Sequence, residues 1–407
     1  MSKFEDFKIC SELLRALSKM KYAAPTPIQE QAIPLLLNGS DLIASSQTGT
    51  GKTCAFGIPL MQTLIADSSA QALVIAPTRE LAIQIEGVLR ELASFSRVSS
   101  ALVVGGLSMQ QQHRALSRRP QLIVATPGRL VDHLRHNKSL LSRTVFVVLD
   151  EADRMMDMGF APQLEAIRAA LPSQRQTLLF SATFPSNIND LTKKWMRTPH
   201  RVSAGPTTEP IATVTQSVIK VKDADKRDKL MHEVNSRSGS ILIFARTKHR
   251  TDRLALFLEA KGVSVCRMHG GRNQGQRRAA ISGFRSAKYR VMVATDIAAR
   301  GIDIPRIEHV INFDLPMAAE DYLHRIGRTG RAGRSGESVC MITPGDYSLW
   351  ASIERLMGGK DQPSAAGLGG NAGNRRNGAA RRQGPGGRSR GRHFARRGGQ
   401  AFHATGA

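Results

Sequence analysis

Short apolar runs recur along the first half of the chain, each followed by a longer amphipathic stretch. The runs are DLIAS (41–45), ALVIA (72–76), ALVVG (101–105), QLIVA (121–125), VFVVL (145–149) and TLLF (177–180), with stretches such as ELAIQIEGVLRELASF between them. Continuous apolar strands alternating with helices predict a parallel sheet covered on both faces. The pattern breaks at SAGPTTEPIAT (203–213), which has no helical period. It restarts with VTQSVIKV (214–221), SILIFA (240–245), VSVCRM (263–268), RVMVAT (290–295), EHVINF (308–313) and ESVCMI (337–342). We therefore expect an N-terminal region over 1–31, a first α/β lobe over 32–204, a linker over 205–213 and a second lobe over 214–357. From Gly358 onward Gly, Arg, Asn and Gln dominate and aliphatic residues nearly vanish. Such a segment buries too little surface to offset its ordering entropy, so 358–407 is expected to be disordered.

Composition narrows the partners. The 407 residues exceed what one ordinary core organises, in keeping with two lobes. Lys and Arg number 58 against 33 Asp and Glu, a net +25 that points to nucleic acid or an anionic membrane surface. The segment from Gly358 carries Lys360, nine arginines and one acid, Asp361, and so holds only +9 of that charge. No apolar run approaches the roughly 20 residues that span a bilayer. The start, MSKFEDFKIC, lacks the apolar stretch of a secretory signal. Cys10, Cys54, Cys266 and Cys340 are scattered, with neither metal-site nor disulfide spacing, so a reducing cytoplasm is expected.

Two stretches carry candidate chemistry. SSQTGTGKT, Ser45 to Thr53, follows the run DLIAS and precedes a helical pattern. A Gly-rich turn between strand and helix aims backbone N–H groups and the positive helix end at one point, which suits a triphosphate. Ser45, Ser46, Gln47, Thr48, Gly49, Thr50 and Gly51 would wrap the phosphates. Lys52 would reach the β- and γ-phosphates, and Thr53 would offer its hydroxyl to Mg²⁺. The usual pattern opens on glycine where this chain has Ser46, and the competing reading is a flexible surface turn. The second stretch is Asp150-Glu151-Ala152-Asp153, at the carboxyl end of VFVVL. Acidic tetrads are common on solvated faces, but ligands of open α/β sheets bind at strand carboxyl ends. A phosphate-loop enzyme needs an acid to hold Mg²⁺ and another to orient or deprotonate water; Asp150 suits the first role and Glu151 the second.

Further motifs stand in order from Phe4 to Arg331: PTPIQ (25–29), PTREL (77–81), GG (105–106), TPGR (126–129), SAT (181–183), IFART (243–247), QGQR (274–277), ATDIAARGID (294–303) and HRIGRTGR (324–331). With the Asp-Glu-Ala-Asp tetrad they resemble the DEAD-box RNA helicases of superfamily 2. The resemblance covers both lobes and leaves out only the tail. It implies two RecA-like lobes, with ATP and Mg²⁺ as cofactors and RNA as partner.

It also implies roles. Gln29 reads adenine, its amide offering one donor and one acceptor side by side, although elsewhere such a residue would pass for helix surface. Phe4 and Tyr22 flank the purine; the motif's usual glycine is Lys21 here. Arg328 and Arg331 reach the γ-phosphate, Asp303 the ribose, and His324 links the nucleotide to Ser181, Thr183 and Asp153. Arg79, Gly106, Thr126, Arg129, Thr247, Arg277 and Thr295 contact RNA phosphate and sugar, which position a strand without reading its sequence. The motif spellings and the Gly/Arg tail look most like the bacterial RhlE subgroup. The activity implied is ATP-driven local unwinding of short duplexes, with ribosomal or mRNA decay assemblies as the expected setting. An ATP-dependent RNA clamp without unwinding and a DNA-directed relative are the competing readings.

Overall fold

The computed structural model describes residues 3–46, 50–181, 186–204, 214–299, 307–330 and 335–357. The apolar runs become strands, and most of their residues are buried. The first lobe holds β1 (Leu42–Ser46), β2 (Gln71–Ile75), β3 (Ser100–Val103), β4 (Leu122–Ala125), β5 (Thr144–Leu149), β6 (Gln176–Ser181) and β7 (His200–Ala204). They form one sheet in the order β3-β4-β2-β5-β6-β1-β7, every pair parallel. Strand β7 had no counterpart among the apolar runs. It is an edge strand with an exposed His200 and Arg201, so no continuous apolar run marks it.

The second lobe holds β8 (Val214–Lys220), β9 (Ile241–Phe244), β10 (Val265–Met268), β11 (Val291–Ala294), β12 (His309–Asn312) and β13 (Gly336–Ile342), in the order β10-β11-β9-β12-β13-β8 and again parallel. Two apolar clusters sandwich the first sheet. One is formed with helices Pro27–Leu37, Lys52–Ala66 and Arg79–Leu92, the other with Pro127–His136, Ala161–Ala169 and Ser186–Trp195. The second sheet is covered in the same way. Each fully buried Val, Leu or Ile contributes about 1.5–3 kcal/mol, so a charge at Val148 or Ile243, both fully buried, would break its lobe. No helix among the described residues is long and apolar enough to cross a membrane.

The two sheets share one plan. Strands β10, β11, β9, β12, β13 and β8 stand where β3, β4, β2, β5, β6 and β1 stand in the first lobe. Lys52 opens the helix after β1, and Lys226 opens the helix Lys226–Asn235 after β8. Asp150 directly follows β5, and Asp314 lies just beyond β12. In the second lobe Lys226 is buried with its Nζ 3.7 Å from Asp314 and 3.9 Å from Asp346. No Gly-rich turn precedes Lys226, so this ion cluster closes the place that a phosphate loop takes in the first lobe.

Candidate nucleotide and RNA site between the lobes

The phosphate loop leaves β1, where buried Ser45 lies in register with buried Ser181 of β6. Ser46 ends the strand, and the expected phosphate contacts Gln47, Thr48 and Gly49 lie outside the described residues. Thr50 and Gly51 lead into the helix, which begins with Lys52 and Thr53. Gly51 has φ +92°, a left-handed conformation that favours glycine. A Cβ there would fall 2.6 Å from Gln29 Nε2, because Gln29 grips this turn.

That grip has three bonds. Gln29 Nε2 donates to the Gly51 carbonyl at 3.0 Å, Thr26 Oγ1 donates to the Thr50 carbonyl at 2.8 Å, and Gln29 Oε1 accepts from Thr26 N–H at 3.0 Å. One amide N–H and one lone pair of Gln29 remain for a purine edge. Tyr22 is 42% exposed, whereas Phe4 is a core residue in the same cluster as Ile28 and Ala32. Its ring meets Phe7 edge-on, so Phe4 supports this segment from within the core.

The acidic tetrad is built on the end of β5. The Asp150 N–H donates to the Ile75 carbonyl at 3.0 Å, which fixes the tetrad against β2, and its Oδ1 accepts from Glu151 N–H at 3.0 Å. Burial pushes the Asp150 carboxyl up to about 6, with Lys52 pulling down and Glu151 pushing up. Glu151 takes a left-handed φ of +52° and caps the short helix Ala152–Asp157. Burial also pushes Glu151 up, but Arg154, Lys52, Arg328 and His324 outweigh it and hold the carboxyl below its ordinary range. Two of these groups, Arg328 and His324, come from the second lobe. Charges of both lobes therefore converge on Glu151.

Asp153 is buried and accepts from Arg154 N–H at 2.9 Å. Thr183, Asp303 and Arg331 lie outside the described residues. The donor set suits a phosphate-bound magnesium ion: Asp150 is a buried carboxylate beside Glu151, with Thr53 at the start of the phosphate-loop helix. Mg²⁺ binds through one or two carboxylates plus substrate phosphates and not in an all-protein cage. No such cage occurs among the described residues.

The two described arginines of HRIGRTGR, Arg325 and Arg328, separate in space. Arg325 is 1% exposed and structural: Nε and Nη2 hold the Asp296 carboxylate at 2.5 and 2.7 Å, and Nη1 reaches Asn312 Oδ1 at 3.0 Å. Its guanidinium also stacks over Phe244. Arg328, in the turn after helix Ala319–Ile326, is buried and directs its Nε to the His324 carbonyl at 3.1 Å.

The expected RNA residues sit at strand carboxyl ends, many at matching points of the two lobes. Thr126 and Thr295 follow β4 and β11; Thr247 caps the helix after β9 as Thr78 caps the one after β2, each accepting an N–H three residues on. Arg79 lies across Gly105 and Gly106. A Cβ on Gly106, φ +76°, would fall 2.3 Å from Arg79 Nη1, so this guanidinium needs the glycine. Arg129 Nη1 donates to the Leu107 carbonyl at 3.1 Å. Burial lowers the Arg79 pKa, and the nearby cations Arg277 and Arg129 add to the effect against Glu80. Thr247 opens onto a cavity of about 470 Å³ lined also by Arg227, His249, Arg250, Arg253 and Phe313.

Arg277 corrects the expectation. It is buried against the first lobe, with Nε 2.7 Å from Glu80 Oε1 and Nη2 2.6 Å from Glu80 Oε2. Its Nη1 donates to the His269 carbonyl at 3.3 Å, and Gln274 Nε2 also reaches Glu80, at 3.4 Å. A guanidinium so committed is a latch between lobes, not a phosphate donor. Glu80, Asp296, Arg325 and Arg154 were missed as site residues. All lie within or beside the motifs, but the pairings among them cross the fold.

Comparison with known proteins agrees with this geometry. A family model described as DEAD/DEAH box helicase matches residues 26–191, and one described as helicase conserved C-terminal domain matches 225–333. A protein named ATP-dependent rRNA helicase RRP3 from Debaryomyces hansenii is 43% identical over 360 residues, covering 88% of this chain and 76% of that one. The protein of the same name from Aspergillus fumigatus is 42% identical over 361 residues, with the same coverages. Among solved structures, S. cerevisiae Dbp5 bound to RNA and ADP BeF3 aligns with TM-score 0.80 at 33% identity, over 89% of this chain and 95% of that one. A Dbp5 variant bound to Nup159, a Gle1 variant, IP6 and ADP aligns at 0.60 and 32% identity, over 86% and 93%. With both models matched in order along one chain, the protein belongs to the DEAD/DEAH box helicase family.

Proposed function

We propose that the protein uses ATP to separate short RNA duplexes locally, by closing its two lobes over nucleotide and RNA together. The observation that carries this reading is the convergence of Lys52, Asp150 and Glu151 from one lobe with His324 and Arg328 from the other. Gln29 selects adenine with its remaining donor and acceptor while bracing the phosphate loop. The Gly51–Lys52 turn, with the residues from Ser45 to Thr50, holds the phosphates. Thr53, Asp150 and Glu151 would hold Mg²⁺, which supplies charge neutralisation to the phosphates.

Glu151 accepts a proton from the attacking water, and Arg328 with Arg331 stabilises charge on the transferring phosphoryl group. Asp303 holds the ribose. His324, Ser181, Thr183 and Asp153 couple the state of the phosphates to the lobe interface. Arg79, Gly106, Thr126, Arg129, Thr247 and Thr295 take RNA by phosphate and sugar, and contact to 2′-OH groups favours RNA over DNA.

Ribosomal RNA is the substrate we favour, on the strength of the relatives' names. A place beside the bacterial RhlE enzymes rests on motif spelling and the Gly/Arg tail, against relatives named above that are fungal. A reducing compartment such as the cytoplasm fits four free cysteines, with burial pushing Cys54 up to about 11 and Cys266 and Cys340 up to about 12. The test is ATP hydrolysis at saturating RNA and at saturating DNA of the same sequence. Stimulation by RNA alone supports the proposal; equal stimulation by both contradicts the assignment to RNA.

A further inference from the structure

We propose that Arg154 is a positioning residue that aims the catalytic carboxylate of Glu151 only when the second lobe is docked. Arg154 lies one turn after Glu151, so the two side chains share a face of the chain. Its Nη1 is 3.2 Å from Glu151 Oε2, and its Nη2 donates at 3.2 Å to the carbonyl of Ile297 in the second lobe. Arg154 is buried, and its Nε has no partner among the described residues. Both of its bonds therefore leave through the two ends of one rigid, planar fork. Fixing one end at Ile297 fixes the other at Glu151.

The anchor on the second lobe is itself firm. Ile297 belongs to helix Asp296–Ala299, and its neighbour Asp296 is held by both arms of Arg325. Arg325 lies three residues before Arg328, the group expected at the γ-phosphate. Arg154 thus ties Glu151 to the same piece of the second lobe that carries the arginine. The acid of one lobe and the cation of the other are set in one frame. Arg154 holds Oε2 of Glu151, so in this arrangement Oε1 is the oxygen that would meet the water. When the lobes part, the Ile297 bond is lost, and with it the second anchor of the fork that holds the carboxylate. Hydrolysis then waits for closure.

The inference rests on Glu151 as the proton acceptor, and its test separates the two claims. ATP turnover is measured at saturating RNA for the full chain, for Arg154→Met, Arg154→Lys and Glu151→Gln, and for Glu151→Gln combined with Arg154→Met. A misaimed catalytic group costs on the order of 100-fold. We expect that loss in kcat for Arg154→Met, with KM for ATP within about threefold of wild type because no ground-state contact is removed. Arg154→Lys keeps the charge beside Glu151 but cannot span both partners, so it recovers only part of the loss.

In the Glu151→Gln background, Arg154→Met adds no further loss, since it acts through that carboxylate. Wild-type kcat for Arg154→Met, or a full additional loss in the Glu151→Gln background, overturns the positioning role. Should Arg154→Met not fold, wild-type kcat in Arg154→Lys overturns it equally. Normal turnover by Glu151→Gln would instead refute the proton-acceptor reading on which the inference stands.

Discussion

Glu80 and Arg277, 197 residues apart and on different lobes, form a buried two-armed ion pair with contacts of 2.7 and 2.6 Å. Removing one partner of such a pair costs about 3–5 kcal/mol, because the other charge stays buried alone. Parted lobes return both groups to water, so the cost falls on the closed state. We expect Arg277→Met to weaken RNA binding about 100-fold with a non-hydrolysable ATP analogue present and by less than threefold without nucleotide. RNA titrations followed by fluorescence anisotropy under both conditions give the answer. Equal weakening in the two would return Arg277 to the RNA surface.

Arg328 is buried at the lobe interface and contributes to holding Glu151 ionised. Arginine fingers contribute about 10³–10⁵ in rate. Arg328→Ala should therefore lower RNA-stimulated turnover about 1000-fold and leave nucleotide affinity within a few-fold. Loss confined to nucleotide affinity would make Arg328 a ground-state contact instead.

Gln29 grips Gly51 and, in the proposed function, also reads the purine. Gln29→Glu keeps the acceptor for Thr26 N–H but loses the donor to the Gly51 carbonyl. An unsatisfied buried group costs about 1–3 kcal/mol, so KM for ATP should rise about 10–100-fold. Preference for ATP over GTP should narrow with it, read from competition between the two nucleotides. An unchanged preference would remove Gln29 from adenine recognition while leaving its structural bonds intact.

The Gly/Arg segment from Gly358 lies outside the described residues, yet its charge makes a separate expectation. Arginines pair with phosphates and stack on unpaired bases. Deleting 359–407 should weaken RNA binding, and the intact protein should lose affinity more steeply with salt than the shortened one. Hydrolysis without RNA should not change. Equal affinity and equal salt slope would leave the two lobes as the whole RNA-binding surface.

Most strands of both sheets were legible in the sequence because they are buried on two faces, which writes them as continuous apolar runs. Strand β7 was not, since an edge strand with His200 and Arg201 facing out carries no such run. The glycines had readable purposes: Gly51 and Gly106 sit where Gln29 and Arg79 leave no room for a side chain. What the sequence hid are pairings. QGQR reads as a basic RNA motif until Glu80 is seen against Arg277. Arg154 reads as a helix residue after the tetrad until Ile297 is seen at its far end. Even the shared plan of the two lobes is masked, because a Gly-rich loop before Lys52 is replaced before Lys226 by a turn closed with Asp314 and Asp346.

The most direct test of the account is release of a labelled strand from a short RNA duplex. The full chain, with ATP and Mg²⁺, should release the strand rapidly, with little release in the absence of nucleotide. A matched DNA duplex should stay paired. Glu151→Gln, able to close but not to hydrolyse, should bind the duplex tightly and turn over poorly. ATP-dependent RNA binding by the wild type without any strand release would contradict the account and make the protein a clamp.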